Sequence, residues 1–104
     1  MTDKELLELT AKAAGIEIVK WNSHDSPMIR YDAAINIPWN PITDDGDALR
    51  LAVKLKMNID IVEEATGAGA LVYRWCSEVN NGDPYAATRR AIVRAAAEVG
   101  KEKK

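Results

Sequence analysis

The chain alternates between two hydrophobic periods. Over residues 3–14, Leu6, Leu7, Leu9, Ala11, Ala13 and Ala14 gather on one side at about 100° per residue, with Lys4, Glu5, Glu8 and Lys12 opposite, the pattern of an amphipathic helix. Thr2 and Glu5 have the spacing of a capping box, which fixes where that helix starts, and Gly15 supplies a left-handed residue to stop it. IEIVKW then switches to strand-like alternation. NSHDSP reads as a polar turn containing His24, and MIRYD returns as the partner strand. AAINIPWNP is extended, because Pro38 and Pro41 disfavour helix at the residues before them, and Ile35 and Ile37 add a short edge strand.

A second helix is predicted to begin after Thr43, with its hydroxyl as N-cap and the carboxylates of Asp44, Asp45 and Asp47 at the positive end of the dipole. Ala48, Leu49, Leu51, Ala52, Val53 and Leu55 spread over roughly 200° of that helix, so it is expected to be mostly buried. NIDIVEE alternates again, TGAG offers a flexible turn, and LVYRWCSE alternates Leu71, Tyr73 and Trp75, together a second hairpin. After the NNG turn, Asp83 and Pro84 read as N-cap and first residue of a third helix whose apolar stripe is Tyr85, Thr88, Ile92, Ala95 and Val99. Gly100 is expected to end it.

The resulting order, α-β-β-α-β-β-α, suggests an internal duplication. Shifting the chain by 42 residues places Asp3, Leu7, Leu9 and Lys12 on Asp45, Leu49, Leu51 and Lys54, and Tyr31 on Tyr73. Two such units joined edge to edge would give one four-stranded, mainly antiparallel sheet. Ile16, Ile18, Ile59 and Ile61 lie on one face and Val19, Trp21 and Val62 on the other, which calls for helices above and below. The expected fold is therefore α+β, a three-layer α/β/α sandwich.

Composition narrows the functional classes. The 104 residues suit a single domain, taken as residues 1–100 with a basic disordered tail at 101–104. No run approaches the ~18 apolar residues of a membrane span, and MTDKELLELT is too acidic for a secretory leader, so a cytoplasmic location away from membranes is expected. One cysteine, Cys76, excludes an internal disulfide, and one histidine, His24, excludes paired-imidazole chemistry. Cys76 alternates within a predicted strand far from that histidine and reads as a structural thiol. With no phosphate-binding loop or nucleophile elbow, neither enzymatic activity nor a cofactor is expected.

Net charge is −2, but residues 1–85 carry 8 Lys/Arg against 14 Asp/Glu and residues 86–104 carry 6 against 2. A basic C-terminal segment thus sits on an acidic body. Arg89, Arg90, Arg94 and the lysine tail can grip phosphate or an acidic protein, or simply form a solvated helix face. Trp39, with Asn40 between flanking prolines, is either a rigid anchor for a partner or a cover over the end of the buried helix. The cluster of Thr43, Asp44, Asp45 and Asp47 beside Gly46 serves helix capping better than metal binding. A calcium loop of the EF-hand type needs a glutamate where Ala52 stands.

At WNPITDDGDALRLAVKL (residues 39–55) and DPYAATRRAIVRAAAEVG (residues 83–100) the chain resembles the phage ABA-sandwich family, small accessory proteins of tailed phages and prophages. The resemblance implies an α/β/α sandwich made inside a host bacterium and supplies no catalytic residues. The function expected from it is non-enzymatic binding of a host protein, a phage protein or a small signalling ligand, antagonising a host defence. The alternative is nucleic-acid association through the basic last helix. A homo-oligomer is compatible with either.

Overall fold

A helix followed by a three-stranded meander occurs twice in the computed structural model, which describes residues 1–22, 26–30, 32–70 and 75–103. In chain order the elements are α1 (Asp3–Ala14), β1 (Ile18–Trp21), β2 (Pro27–Arg30), β3 (Asn36–Pro38), α2 (Asp45–Lys54), β4 (Met57–Ile61), β5 (Ala65–Ala70), β6 (Trp75–Val79) and α3 (Pro84–Glu102). His24, Tyr31, Leu71 and Tyr73 lie outside the described residues.

α1 starts where its capping box places it. Thr2 Oγ1 accepts the Glu5 N–H at 3.1 Å, and the Glu5 carboxylate accepts the Thr2 N–H at 3.2 Å. The Thr2 N–H and the Thr2 hydroxyl both donate to that carboxylate, which favours its charged form and holds the Glu5 carboxyl below the usual carboxylate range. Gly15, at φ 70°, ends the helix. One side of α1, with Leu7 and Ala11, packs on the first sheet, where Ile18 and Ile37 flank Ile29 across antiparallel β1, β2 and β3. Leu6 and Ala14 enter a larger core with α2, α3 and the second sheet.

The second sheet, β4-β5-β6, departs from the expected hairpin. TGAG is not a turn but the middle of the central strand β5, and the chain reverses instead at Glu63 and Glu64. Gly67 belongs in that strand for a steric reason. The Trp75 indole lies across it, and a Cβ there would stand 2.2 Å from the ring. On the other face, Thr66 and Ala68 are fully buried against α3, and the Thr66 hydroxyl meets that of Thr88 at 3.1 Å.

Among the described residues the strands number six, in two three-stranded antiparallel sheets, rather than four in one. Nor do the described residues show the expected three layers, since the outer face of the second sheet carries exposed side chains. Its outward residues include Asn58, Asp60, Gly67 and Ser77, which ask for no apolar cover, while Trp75 and Val79 stay 52% and 72% exposed. α2 departs from expectation as well. Its N-cap is Asp44, whose carboxylate accepts the Asp47 N–H at 2.8 Å, while the Thr43 N–H bonds to the Asn40 carbonyl in the preceding turn. Only Ala48, Leu51 and Ala52 are buried in α2, and Leu49 and Val53 remain 62% and 70% exposed.

Gly100 does not end α3, and residues 101 and 102 continue the helix instead of forming a disordered tail. The glycine is there because α1 and α3 nearly touch: a Cβ on Gly100 would sit 2.0 Å from the Leu9 carbonyl oxygen. Ala91, Ala95, Ala96 and Ala97 are buried along the same helix, and Lys103 Nζ donates to the Ala13 carbonyl at 3.0 Å beyond it. Gly100→Ala is expected to cost about 1–3 kcal/mol in urea unfolding, because backbone must move to admit the methyl group. Gly15→Ala, which meets nothing within 4 Å, should cost only the left-handed strain of about 1 kcal/mol.

Candidate functional site

The polar residues singled out from the sequence are brought into the fold as structural groups. Asp44 caps α2 and lies 3.9 Å from Arg50. Asp47 accepts the Asn40 N–H at 2.9 Å and Arg50 at 2.7 Å, while Asp45 takes Arg89 at 2.6 Å. These carboxylates are turned towards backbone amides and guanidinium groups, and Thr43 stays in the turn before them. No group of three or more His, Cys, Asp or Glu arranged to hold a metal occurs among the described residues.

Trp39 is not an exposed anchor. It is 4% exposed, packed with Leu7 and Ala11, because its N–H bonds to the Pro27 carbonyl at 3.0 Å and draws the ring under the first sheet. Asn40 beside it caps the following turn, its side-chain oxygen accepting the Ile42 N–H at 3.0 Å. A cavity of about 400 Å³ adjoins this region, bounded by Trp39, Ile29 and Ile37 on one side and Leu51, Arg50 and Lys54 of α2 on the other.

The three arginines do not form a free basic face. Arg89 donates to the Ile42 carbonyl at 2.8 Å and pairs with Asp45, Arg90 pairs with Asp3 at 3.1 Å, and Arg94 pairs with Glu78 and donates to the Ser77 carbonyl at 3.0 Å. Each ties α3 to a different element. Cys76 is buried facing α3; desolvation pushes its thiol up, and nearby Arg94 only partly offsets that.

Apart from these polar groups, an apolar surface is also accessible. Ala48 and Leu49 of α2, Ile59 and Ile61 of β4, and Tyr85 and Ile92 of α3 line an open groove of about 520 Å³, with the Asp45–Arg89 pair at its rim. Leu49, Ile61 and Tyr85 are each at least 60% exposed. The groove exists because α3 lies chiefly over β5 and β6, leaving the inward side chains of β4 between α3 and α2. The hydrophobic pattern places Leu49 and Tyr85 in stripes expected to be buried, whereas both are exposed. The signal pointing here was the width of the apolar arc on α2, broader than one packing surface uses.

Comparison with known protein families, with curated proteins and with solved structures finds no match for this chain.

Cys76 provides a direct check on this assignment of chemistry. Labelling by a small aromatic disulfide at pH 8 is expected to be slow in the native protein and immediate in denaturant, its rate following unfolding. Rapid native labelling would mean the thiol is reachable.

Proposed function

We propose that the protein is a non-enzymatic binding module, a phage- or prophage-encoded accessory protein that captures a host protein, a phage protein or a small ligand inside the bacterium and so antagonises a host defence. The observation that carries the binding role is the apolar groove between α2, β4 and α3, where Leu49, Ile61 and Tyr85 stand out in solvent. Large apolar side chains clustered in one concavity cost solubility, and such clusters mark interaction sites. The groove volume falls within the roughly 300–1,000 Å³ of ligand pockets and also suits an aromatic or aliphatic anchor from a protein partner. The phage setting is supported by the resemblance of residues 39–55 and 83–100.

Nucleic-acid association is less well supported. The arginines it requires are engaged with Asp3, Asp45 and Glu78.

Host-lysate capture together with a thermal-shift ligand screen tests the reading. Leu49→Asp, a change at an exposed position, should leave the melting temperature within a few degrees while weakening capture or ligand binding by at least about tenfold. Capture unaffected by Leu49→Asp and Tyr85→Ala would remove the groove as the binding surface.

A further inference from the structure

The two edges of the second sheet are finished differently. At β6, Arg94 donates to the outward Ser77 carbonyl at 3.0 Å and pairs with Glu78, so a charged side chain occupies the edge. At β4 no described side chain bonds to the outer edge in this way. The Val62 N–H bonds to the Ala65 carbonyl at 2.9 Å, which sets the phase of the hairpin: Asn58 and Asp60 turn their backbone groups towards β5, and Ile59 and Ile61 turn theirs outward. No described strand pairs with that side. β4 reads MNIDI, without proline, lysine or bulge, the usual devices that blunt an edge. Next to it stands Leu49 of α2, which lines the groove with Ile59 and Ile61 and is 62% exposed, and one turn further along the helix Val53 is 70% exposed. An apolar helix face beside an unprotected strand edge is half of a sheet-and-helix layer.

We propose that the other half is a second copy of this chain, with β4 pairing antiparallel to β4 about a twofold axis and Ile59 opposite Ile59. This joins two three-stranded sheets into one of six. The proposal rests on the groove being a binding surface and names the first partner it takes.

Charge selects the register. A twofold between antiparallel strands keeps facing residues on the same face, so the centre falls on a single residue. Centring on Ile59 sets Asn58 opposite Asp60 of the second copy, twice, an amide against a carboxylate. Centring on Asp60 sets two carboxylates face to face, and no ion pair neutralises Asp60 among the described residues. The Ile59 register also places Met57 opposite Ile61 of the second copy, continuing an inward stripe of Met57, Ile59 and Ile61 across the axis beneath the two α2 helices. Each groove thereby gains Met57 of the second copy beside its own Ile61. The contact uses the same patch on both copies and closes on itself, so it yields a dimer and not a fibre.

Sedimentation velocity over a hundredfold concentration range is expected to show a monomer–dimer equilibrium. Asn58 is exposed, so its variants test register without disturbing the core. Asn58→Asp sets carboxylate against carboxylate twice and should weaken the dimer roughly tenfold, and Asn58→Lys should tighten it by a similar factor. Ile61→Lys should give a monomer whose circular dichroism matches that of the wild type. A monomer at every concentration, or a dimer indifferent to Asn58→Asp and Ile61→Lys, overturns the proposal. A monomer that still captures ligand through Leu49 overturns it too, while leaving the groove as a binding surface.

Discussion

The contact between α1 and α3 is the constraint from which the rest of the architecture follows. The helices run side by side in the same direction, with Arg90 on Asp3 at one end and Lys103 on the Lys12 and Ala13 carbonyls at the other. Between those ends Gly100 lies against the Leu9 backbone, and the Thr10 hydroxyl donates to the Val93 carbonyl at 3.2 Å. Contact this close permits no side chain at Gly100, and Ala91, Ala95, Ala96 and Ala97 are buried along the same helix. The helix therefore contributes little transfer free energy per residue, and its cohesion comes from dense atomic contact on several sides. On the face of β5 turned to α3, Thr66 and Ala68 are likewise small, which lets the strand approach the helix closely.

Once α3 holds the centre of the second sheet, α2 has nowhere central to go. It follows the first meander, meets α3 and the corner of β4, and buries Ala48, Leu51 and Ala52 there. Its apolar arc is wider than that contact, so Leu49 and Val53 turn out beyond the sheet edge. The exposed apolar strip is thus a geometric consequence of a central helix built from alanine and glycine. It lies beside β4, an edge of the second sheet with whose outer side no described strand pairs.

The sequence disclosed the features governed by local chemistry. The Thr2–Glu5 box, the Gly15 stop and the Asp83–Pro84 start of α3 are short-range matters of unpaired amides and backbone angles, and they are found where the pattern puts them. Features governed by distant partners were hidden. Gly67 and its neighbours read as a turn because nothing within a few residues reveals that Trp75 will lie across them. Gly100 read as a helix stop for the same reason, its neighbour Leu9 being 91 positions away. The candidate site was half legible. Apolar excess on α2 was plain, but whether Leu49 or Leu51 would be covered depends on where α3 lies, and a helical wheel holds no such information.

The charge pattern follows the same logic. Along the sequence an acidic body precedes a basic helix, which reads as a polar surface awaiting a counter-charge. In the fold the counter-charge comes from the protein itself: Arg89 reaches α2, Arg90 reaches α1, and Arg94 reaches β6. Partly exposed pairs of this kind contribute only about 0.2–1 kcal/mol each, so they do not hold the molecule together. Their effect lies in orientation, each fixing the rotation of α3 against one neighbour while using up a guanidinium that would otherwise face solvent. With the arginines engaged in this way, the surface is distinguished less by free charge than by an uncovered apolar face, and that shifts the expected partner from a polyanion to something that buries leucine, isoleucine and tyrosine.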